Sequence, residues 1–428
     1  MDINNFLNLR FGMFIHFGLY SSFGRGEWVK SDLQLSDDEY NKILDIFNPD
    51  LFSASDIVKL AKDAGMKYIV FTAKHHDGFC LFNSKLTDYN SFNYYNRDFV
   101  KELSDECKKQ NMYFGLYFSL IDWINKDFKI KGDPFHPLRN SEKSEFLGDD
   151  DAYRKFLHGQ IEEILINYDN LEIMWFDFSY ADKNKEYWQA DKILEMCKKY
   201  RPNMIINSRL TSSGSDFSHF VNNKSSDWNG DFLNPELIIP PTAIKNKFGE
   251  FIPWESCITL NNHWGYVPDD KAYKSDRFIV EKLIECTSKG GNLILNISPD
   301  GRGNINKKTR DILLSVGNFL RLNGESIYGA TASVFDKPEG GRFTQKDDIL
   351  YFHALENCVG PYAFDLGQKK IKYIVRLRDG YLIDNKVPWS AEEFKGFSFM
   401  PTSNNSLDSS LSESNFPEVY KLVLGDIL

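Results

Sequence analysis

Short, almost wholly apolar runs alternate with amphipathic helical stretches through three quarters of the chain, and this alternation limits the fold more than any other feature. The runs span residues 12–20, 67–73, 112–120, 171–178, 203–209 and 292–298; helical patterns span 55–64, 98–110, 151–167, 184–200, 276–288 and 307–322. A strand that is apolar along its whole length is covered on both faces, which means a parallel sheet wrapped by helices. The number and length of the repeats suit a TIM-like (β/α) barrel better than an open doubly wound sheet. No glycine-rich phosphate loop follows the early strands, which argues against a dinucleotide fold. The irregular stretch 210–260 is expected to form loops over the barrel mouth.

Beyond residue 328 the pattern changes. GRFTQKDDILYFHAL, KKIKYIVRLRDGYLID and VYKLVLGDIL read as antiparallel strands joined by polar turns. The expected organisation is a barrel domain over 1–328 and a small antiparallel β-sandwich domain over 329–428, with the Ser/Asn-rich stretch 403–414 as a loop.

In such a barrel the catalytic groups come from the C-terminal ends of the strands. Here the run ends carry His16, then His75, His76 and Asp77, then Tyr117, Asp177, Arg209, and Asn296 with Asp300. Asp177 closes the apolar IMWFDF, where an unpaired carboxylate costs several kcal/mol, so it is paired or used. The plainer alternatives are a structural partner for Arg209 or a helix N-cap. His75 and His76 are adjacent, unlike the HxH or HxxxH spacings that bring two rings onto one metal ion. Where the backbone bends at a strand end, both can hydrogen-bond a polyhydroxylated ring; otherwise one is a buried structural histidine and the other exposed. His16 in FIHFG is either a satisfied barrel histidine or a ligand of a sugar hydroxyl.

Glu27–Trp28 sets a carboxylate acceptor beside a flat apolar face, the two things a sugar ring needs. Tyr117 and Trp264 can line the same pocket, or serve as plain packing. Glycoside hydrolysis needs a second carboxyl group to protonate the leaving oxygen. Glu236 in GDFLNPE and Glu255 in IPWESC both fall in the 210–260 region, and pattern does not choose between them.

Composition excludes several classes. A net charge of −10 argues against a nucleic-acid partner, because phosphate binding needs clustered Lys and Arg. No apolar run is long enough to span a membrane. Six cysteines are scattered without CxxC, and the opening MDINNFLNLRFGMF lacks the pattern of a secretory signal, so a reduced, cytoplasmic protein is expected.

RFGMFIHFGLYS, GEWV, KYIVFTAKHHDGF, MWFD, NSR, GDF–PE, PWE, WGY and LILNISPDGRG follow in order from residue 10 to residue 303. Together they resemble the α-L-fucosidases of glycoside hydrolase family 29. The resemblance implies that Asp177 is the nucleophile and Glu236 the acid/base, with Glu255 the alternative because the loop carrying that glutamate varies in length. It further implies that His16, Glu27, Trp28, His75, His76, Tyr117, Arg209 and Trp264 hold the fucose ring. The implied reaction is exo-acting double displacement on substrates bearing terminal L-fucose, with no metal or organic cofactor. Phe178 departs from the pattern, since many relatives have a small residue after the nucleophile. Two competing readings are a metal-dependent barrel hydrolase using His16, His75, His76 and Asp177 as ligands, and a sugar-binding protein without turnover.

Overall fold

The structure is a computed structural model and describes residues 1–180, 183–211, 217–356, 361–383, 397–400 and 416–426; the expected loop 403–414 lies outside them. Seven strands, β1 (Phe11–Ile15), β2 (Tyr68–Lys74), β3 (Tyr113–Ser119), β4 (Leu171–Asp177), β5 (Ile205–Ile206), β6 (Glu255–Thr259) and β7 (Asn292–Ile297), form one parallel sheet. Its order is β5-β4-β3-β2-β1-β7-β6. Every residue of β1, β2, β6 and β7 is buried, which is why these runs tolerate so few charges.

The longer helices are α1 (Ala54–Asp63), α2 (Phe99–Lys109), α3 (Asp150–Asn167), α4 (Ala190–Tyr200), α5 (Asp276–Ser288) and α6 (Lys307–Asn323). Five of them begin at a side chain that accepts a backbone N–H of the first turn: Ser53, Asp98, Asp149, Ser275 and Asn306. Each turns a stripe of apolar residues onto the sheet, such as Ile57, Val58, Leu60 and Ala61 of α1.

The curled sheet leaves β5 and β6 as edges, whose buried N–H and C=O groups need partners. The extended segment 232–236 supplies them. It bridges Phe232 to Asn207 beyond β5, and Leu233 to Trp254 and Glu236 to Cys257 on the β6 side, all parallel. Leu233 N donates to Pro253 O at 2.9 Å and Cys257 N donates to Pro235 O at 3.1 Å. Gly230 enters this segment at φ 125°, where a Cβ would lie 2.6 Å from the Asn207 carbonyl oxygen.

Three expectations need correction. The region 210–260 is not all loop, because β6 lies inside it; its ESCIT sequence carries three polar residues and escapes an apolar criterion. The helix expected over 184–200 is two helices, Lys185–Trp188 and α4, broken at Gln189 with φ 52°. The strand expected over 203–209 shrinks to β5, followed by a single 3₁₀ turn at Ser208–Leu210, so Arg209 stands on a turn.

After α6 come β8 (Thr331–Ala332), β9 (Gly341–Lys346), β10 (Ile349–Ala354), β11 (Tyr362–Asp365), β12 (Lys369–Arg376), β13 (Tyr381–Ile383), β14 (Phe397–Met400) and β15 (Glu418–Asp426). They form a six-stranded antiparallel sheet, β13-β12-β15-β10-β9-β8, and a two-stranded one, β11-β14. Phe343, Phe352 and Leu422 of the first share a core with Tyr362, Phe364 and Met400 of the second, making a sandwich. It meets the barrel where Thr344 Oγ1 donates to Ser326 O at 2.7 Å and Arg342 approaches Glu285 at 3.4 Å. Among the described residues no helix is long and apolar enough to cross a membrane.

Helices α1 and α6 pack closely at Gly317, where an added Cβ would sit 1.8 Å from the Asp63 carbonyl oxygen. Helix propensity alone favours Ala there by about 1 kcal/mol. Overpacking costs roughly 1–3 kcal/mol and here meets backbone rather than a movable side chain. Gly317→Ala is therefore expected to lower the thermal unfolding midpoint; an unchanged or raised midpoint would show that the helix contact yields.

Candidate active site

The C-terminal ends of the barrel strands enclose a cavity of about 110 Å³, lined by Phe14, His16, Glu27, Trp28, His75, His76, Tyr117, Trp175, Asp177, Phe178, Arg209, Glu236, Cys257 and Trp264. Strand direction explains the gathering. His16 follows β1, His75 and His76 follow β2, Tyr117 lies in β3 and Asp177 ends β4. Arg209 stands on the turn after β5, and Glu236 on the segment that bridges to β6. Trp264 comes from the loop after β6, and Glu27–Trp28 from the connection after β1. A larger cleft of about 450 Å³ lies behind the loop carrying Tyr266 and contains neither Asp177 nor Glu236.

One guanidinium joins the two carboxylates. Arg209 Nη1 donates to Asp177 Oδ1 at 2.7 Å, and Nη2 donates to Glu236 Oε2 at 2.7 Å. Tyr117 OH donates to the other oxygen of Asp177 at 2.9 Å. The guanidinium lies 4.5 Å above the Trp175 ring. Burial opposes its charge, but Asp177 and Glu236 together hold its pKa above the usual arginine value. Asp177 is the deeper carboxylate, with 13% of its side chain exposed against 33% for Glu236.

Two of the cavity's histidines, His16 and His76, are held as acceptors. Asn296 Nδ2 donates to Trp264 O at 2.8 Å, which leaves Asn296 Oδ1 to accept from His16 Nδ1 at 2.6 Å. Ser119 Oγ donates to Ile121 O at 2.7 Å, so it accepts from His76 Nδ1, also at 2.7 Å. In both rings Nε2 is then the lone-pair nitrogen. Burial lowers the His16 pKa to about 4 and those of His75 and His76 well below the usual histidine value. His75 stacks on Tyr117 with centroids 5.3 Å apart, and its buried Nδ1 has no partner among the described residues. Glu27 accepts Gly265 N at 2.7 Å, and burial raises its pKa. Trp28 stands edge-on to His76 at 5.1 Å.

Glu255 is the exception among the expected site residues. It is not on a loop over the mouth but begins β6, fully buried, and does not line the cavity. Its Oε1 accepts from Trp175 Nε1 at 3.0 Å and Asn234 Nδ2 at 3.3 Å, and its Oε2 accepts from the Tyr68 hydroxyl. It therefore supports from below the ring on which Arg209 rests. Asp77 and Asp300 also stand outside the cavity: Asp77 accepts from Tyr40 OH at 2.7 Å, and Asp300 accepts backbone N–H groups of Arg302 and Asn304. Sequence reasoning missed Phe14 and Trp175, although each lies two residues before an expected site residue on the same strand face. Among the described residues no group of three or more His, Cys, Asp or Glu is placed to hold a metal ion.

Two carboxylates sharing an arginine, in a small pocket rimmed by neutral acceptors and aromatic rings on a parallel barrel-like sheet, are the working parts of a glycoside hydrolase. The α-L-fucosidase family model matches residues 3–325. The fold is similar to that of α-L-fucosidase isoenzyme 1 from Paenibacillus thiaminolyticus, with 40% identity, a TM-score of 0.92 and 99% of each chain covered. It is also similar to a family 29 α-L-fucosidase from Bacteroides thetaiotaomicron solved as a trapped covalent intermediate with 2-fluoro-fucosyl fluoride, at 25% identity, TM-score 0.82 and coverage of 99% and 95%. A putative α-L-fucosidase of Caenorhabditis elegans is 30% identical over 75% of this chain, which spans 65% of that protein's length. The chain belongs to the α-L-fucosidase family of glycoside hydrolases.

Burial pushes the Glu255 carboxyl up to about 7, against the opposing hydrogen bonds from Tyr68 and Trp175. A carboxyl whose pKa is raised by folding binds more protons folded than unfolded, so its contribution to stability falls as pH rises from the unfolded value through 7. Glutamine lacks this dependence. The stability of Glu255→Gln relative to the parent should therefore climb between pH 5 and pH 8, by up to about 3 kcal/mol. Denaturant unfolding of both proteins across that range measures it, and a flat difference would show that this carboxyl is not raised.

Proposed function

We propose that the chain is a retaining, exo-acting α-L-fucosidase that releases terminal α-linked L-fucose from fucosylated glycans or glycosides by double displacement. The observation that carries this reading is the single Arg209 guanidinium bound to both Asp177 and Glu236. Asp177, bound by Arg209 and the Tyr117 hydroxyl, attacks the anomeric carbon through a carboxylate oxygen. The bond to the leaving oxygen breaks, and that oxygen takes the proton of Glu236. Water then attacks the same carbon, gives its proton to Glu236 and frees the Asp177 carboxylate.

The shared arginine accounts for the change in role of Glu236. Once Asp177 is an ester, Glu236 is the carboxyl group left paired with Arg209. The greater exposure of Glu236 puts it where leaving group and water meet solvent. Cavity size supports removal of one terminal sugar, and the Nε2 atoms of His16 and His76 suit its hydroxyl protons. The five described cysteines are unpaired and buried, in keeping with a reducing, cytoplasmic setting.

The test is turnover of 4-nitrophenyl α-L-fucoside, with proton NMR on the first product anomer and Asp177→Ala beside the parent. First-formed α-fucose, abolished in the variant and insensitive to chelator, is the expected result. Folded protein inert on this substrate and on fucosylated oligosaccharides would overturn the reading. Glu236→Ala should lose about 10²–10⁴-fold in kcat/KM on an alkyl fucoside but far less on the nitrophenyl one, whose leaving group needs no proton. Equal losses on both would remove Glu236 from the acid role.

A further inference from the structure

We propose that Lys74 is a positioning residue of this active site: its buried ion pair with Asp122, outside the barrel, holds a bulge in β2 that turns both His75 and His76 into the cavity. Only what the two rings hold rests on the fucosidase reading above.

Adjacent residues of a strand face opposite ways, so a cavity lined by two consecutive histidines needs a break in alternation. β2 alternates regularly at first. Tyr68 and Val70 pack with Tyr117 and Trp175 inside the barrel, whereas Ile69, Phe71 and Ala73 pack with Ile57 and Leu103 of the helix layer. Continued by one residue, the pattern would send Lys74 inward and His75 outward. The register against β3 slips at this point: Thr72 pairs with Tyr117, but Lys74 pairs with Phe118. One extra residue moves every side chain beyond it to the other face. Lys74 therefore joins Ala73 on the helix side, and His75 enters the cavity. Gly78 N donates to His75 O at 3.1 Å, so the chain turns at once and His76 lines the cavity too, its ring centroid 4.1 Å from that of His75.

Charge holds the slip in place. The Lys74 side chain has no exposed surface and that of Asp122 has 2%. Lys74 Nζ donates to Gln160 Oε1 of α3 at 2.9 Å and to Asp122 Oδ2 at 3.3 Å, and lies 4.6 Å from the centre of the Phe118 ring. An ammonium is costly to bury without such partners, and in the cavity Asp177 and Glu236 are already bound to Arg209. Asp122 carries the hold across to the next loop. Its Oδ1 accepts Ile124 N at 3.2 Å and Asn125 N at 3.1 Å, shaping a turn whose Trp123 N donates to His76 O at 2.9 Å. Gly78 lets the two loops meet, since a Cβ there would lie 2.2 Å from Asp122 Oδ1. One ion pair thus fixes the backbone before and after the two histidines, while Lys74, Asp122 and Gln160 stay out of the cavity lining.

The test uses Lys74→Met and the double variant Lys74→Met, Asp122→Asn, each labelled with nitrogen-15 at its eight histidines. Lys74→Met leaves a buried carboxylate unpaired and should melt well below the parent; the double variant removes both charges and should regain most of that loss. In the parent, the His76 Nδ1–H bonded to Ser119 gives a slowly exchanging imidazole proton, assigned by its loss in Ser119→Ala. The His353 ring, bonded to Thr344 in the sandwich, is the internal standard. In the folded double variant the His76 proton should vanish by exchange while that of His353 stays. On 4-nitrophenyl α-L-fucoside kcat/KM should fall about 100-fold, and the Ki of free L-fucose should rise about tenfold. A folded double variant that keeps either the His76 proton or the parent's Ki overturns the inference. A double variant that melts no higher than Lys74→Met overturns it as well, because the charge pair then does not hold the bulge. A parent inert on the fucoside overturns the fucosidase reading, and the His76 proton then still decides the role of Lys74.

Discussion

The Arg209 guanidinium between Asp177 and Glu236 is the interaction on which the rest of the site depends. Two carboxylates this close repel, and each loses hydration in the pocket. A planar fork with two parallel donors satisfies both at once, which a lysine ammonium could do only as a point charge. The fork needs its own support. It rests on Trp175, whose indole N–H is fixed by Glu255, which in turn is held by Tyr68 and Asn234. This column runs down the inside of the barrel from the chemistry to the strand starts. An acid at its foot is tolerable because three donors meet it and because burial favours its neutral form.

The same arginine explains why the gap between β5 and β6 is closed by an irregular segment instead of a regular strand. A regular strand would continue its alternation, whereas this segment must bridge Asn207 at one end and present Glu236 to Arg209 at the other. Pro235 has no N–H to leave unpaired, and its carbonyl serves β6 through Cys257. Leu237, at φ 54°, turns the chain away immediately after the glutamate. Edge closure and the placement of Glu236 are therefore one structural problem with one solution.

The parts legible in the sequence were those fixed by burial on both faces. Runs such as KYIVFTA and LEIMWFD read as strands, and polar residues at or just beyond their ends, His75, His76 and Asp177, line the cavity. β6 was illegible because Glu255, Ser256 and Thr259 are each satisfied by specific partners: Tyr68, Trp175 and Asn234 for the glutamate, the Ile238 carbonyl for Ser256, and the Asn261 carbonyl for Thr259. Such partners come from distant segments that no local pattern reveals. Phe178 was visible as an odd residue after Asp177, but its φ of 85° and its place among the rings of residues 28, 76, 135 and 180 depend on segments distant in the chain. The proton positions on His16 and His76 likewise follow from Asn296 and Ser119, each committed elsewhere.

That the acceptors are histidines kept neutral by burial also follows from the central arginine. A protonated imidazole beside Asp177 would compete with Arg209 for the carboxylate, and a further ionised carboxylate would compete with Asp177 for the guanidinium. Burial lowers the His16 pKa to about 4 and raises that of Glu27, so both groups are biased toward their uncharged forms. At the centre of the pocket Arg209 is paired with both Asp177 and Glu236. A neutral sugar can enter such a pocket without bringing a counter-ion. In the proposed reaction the positive charge that develops at its anomeric carbon during bond breaking meets the Asp177 carboxylate.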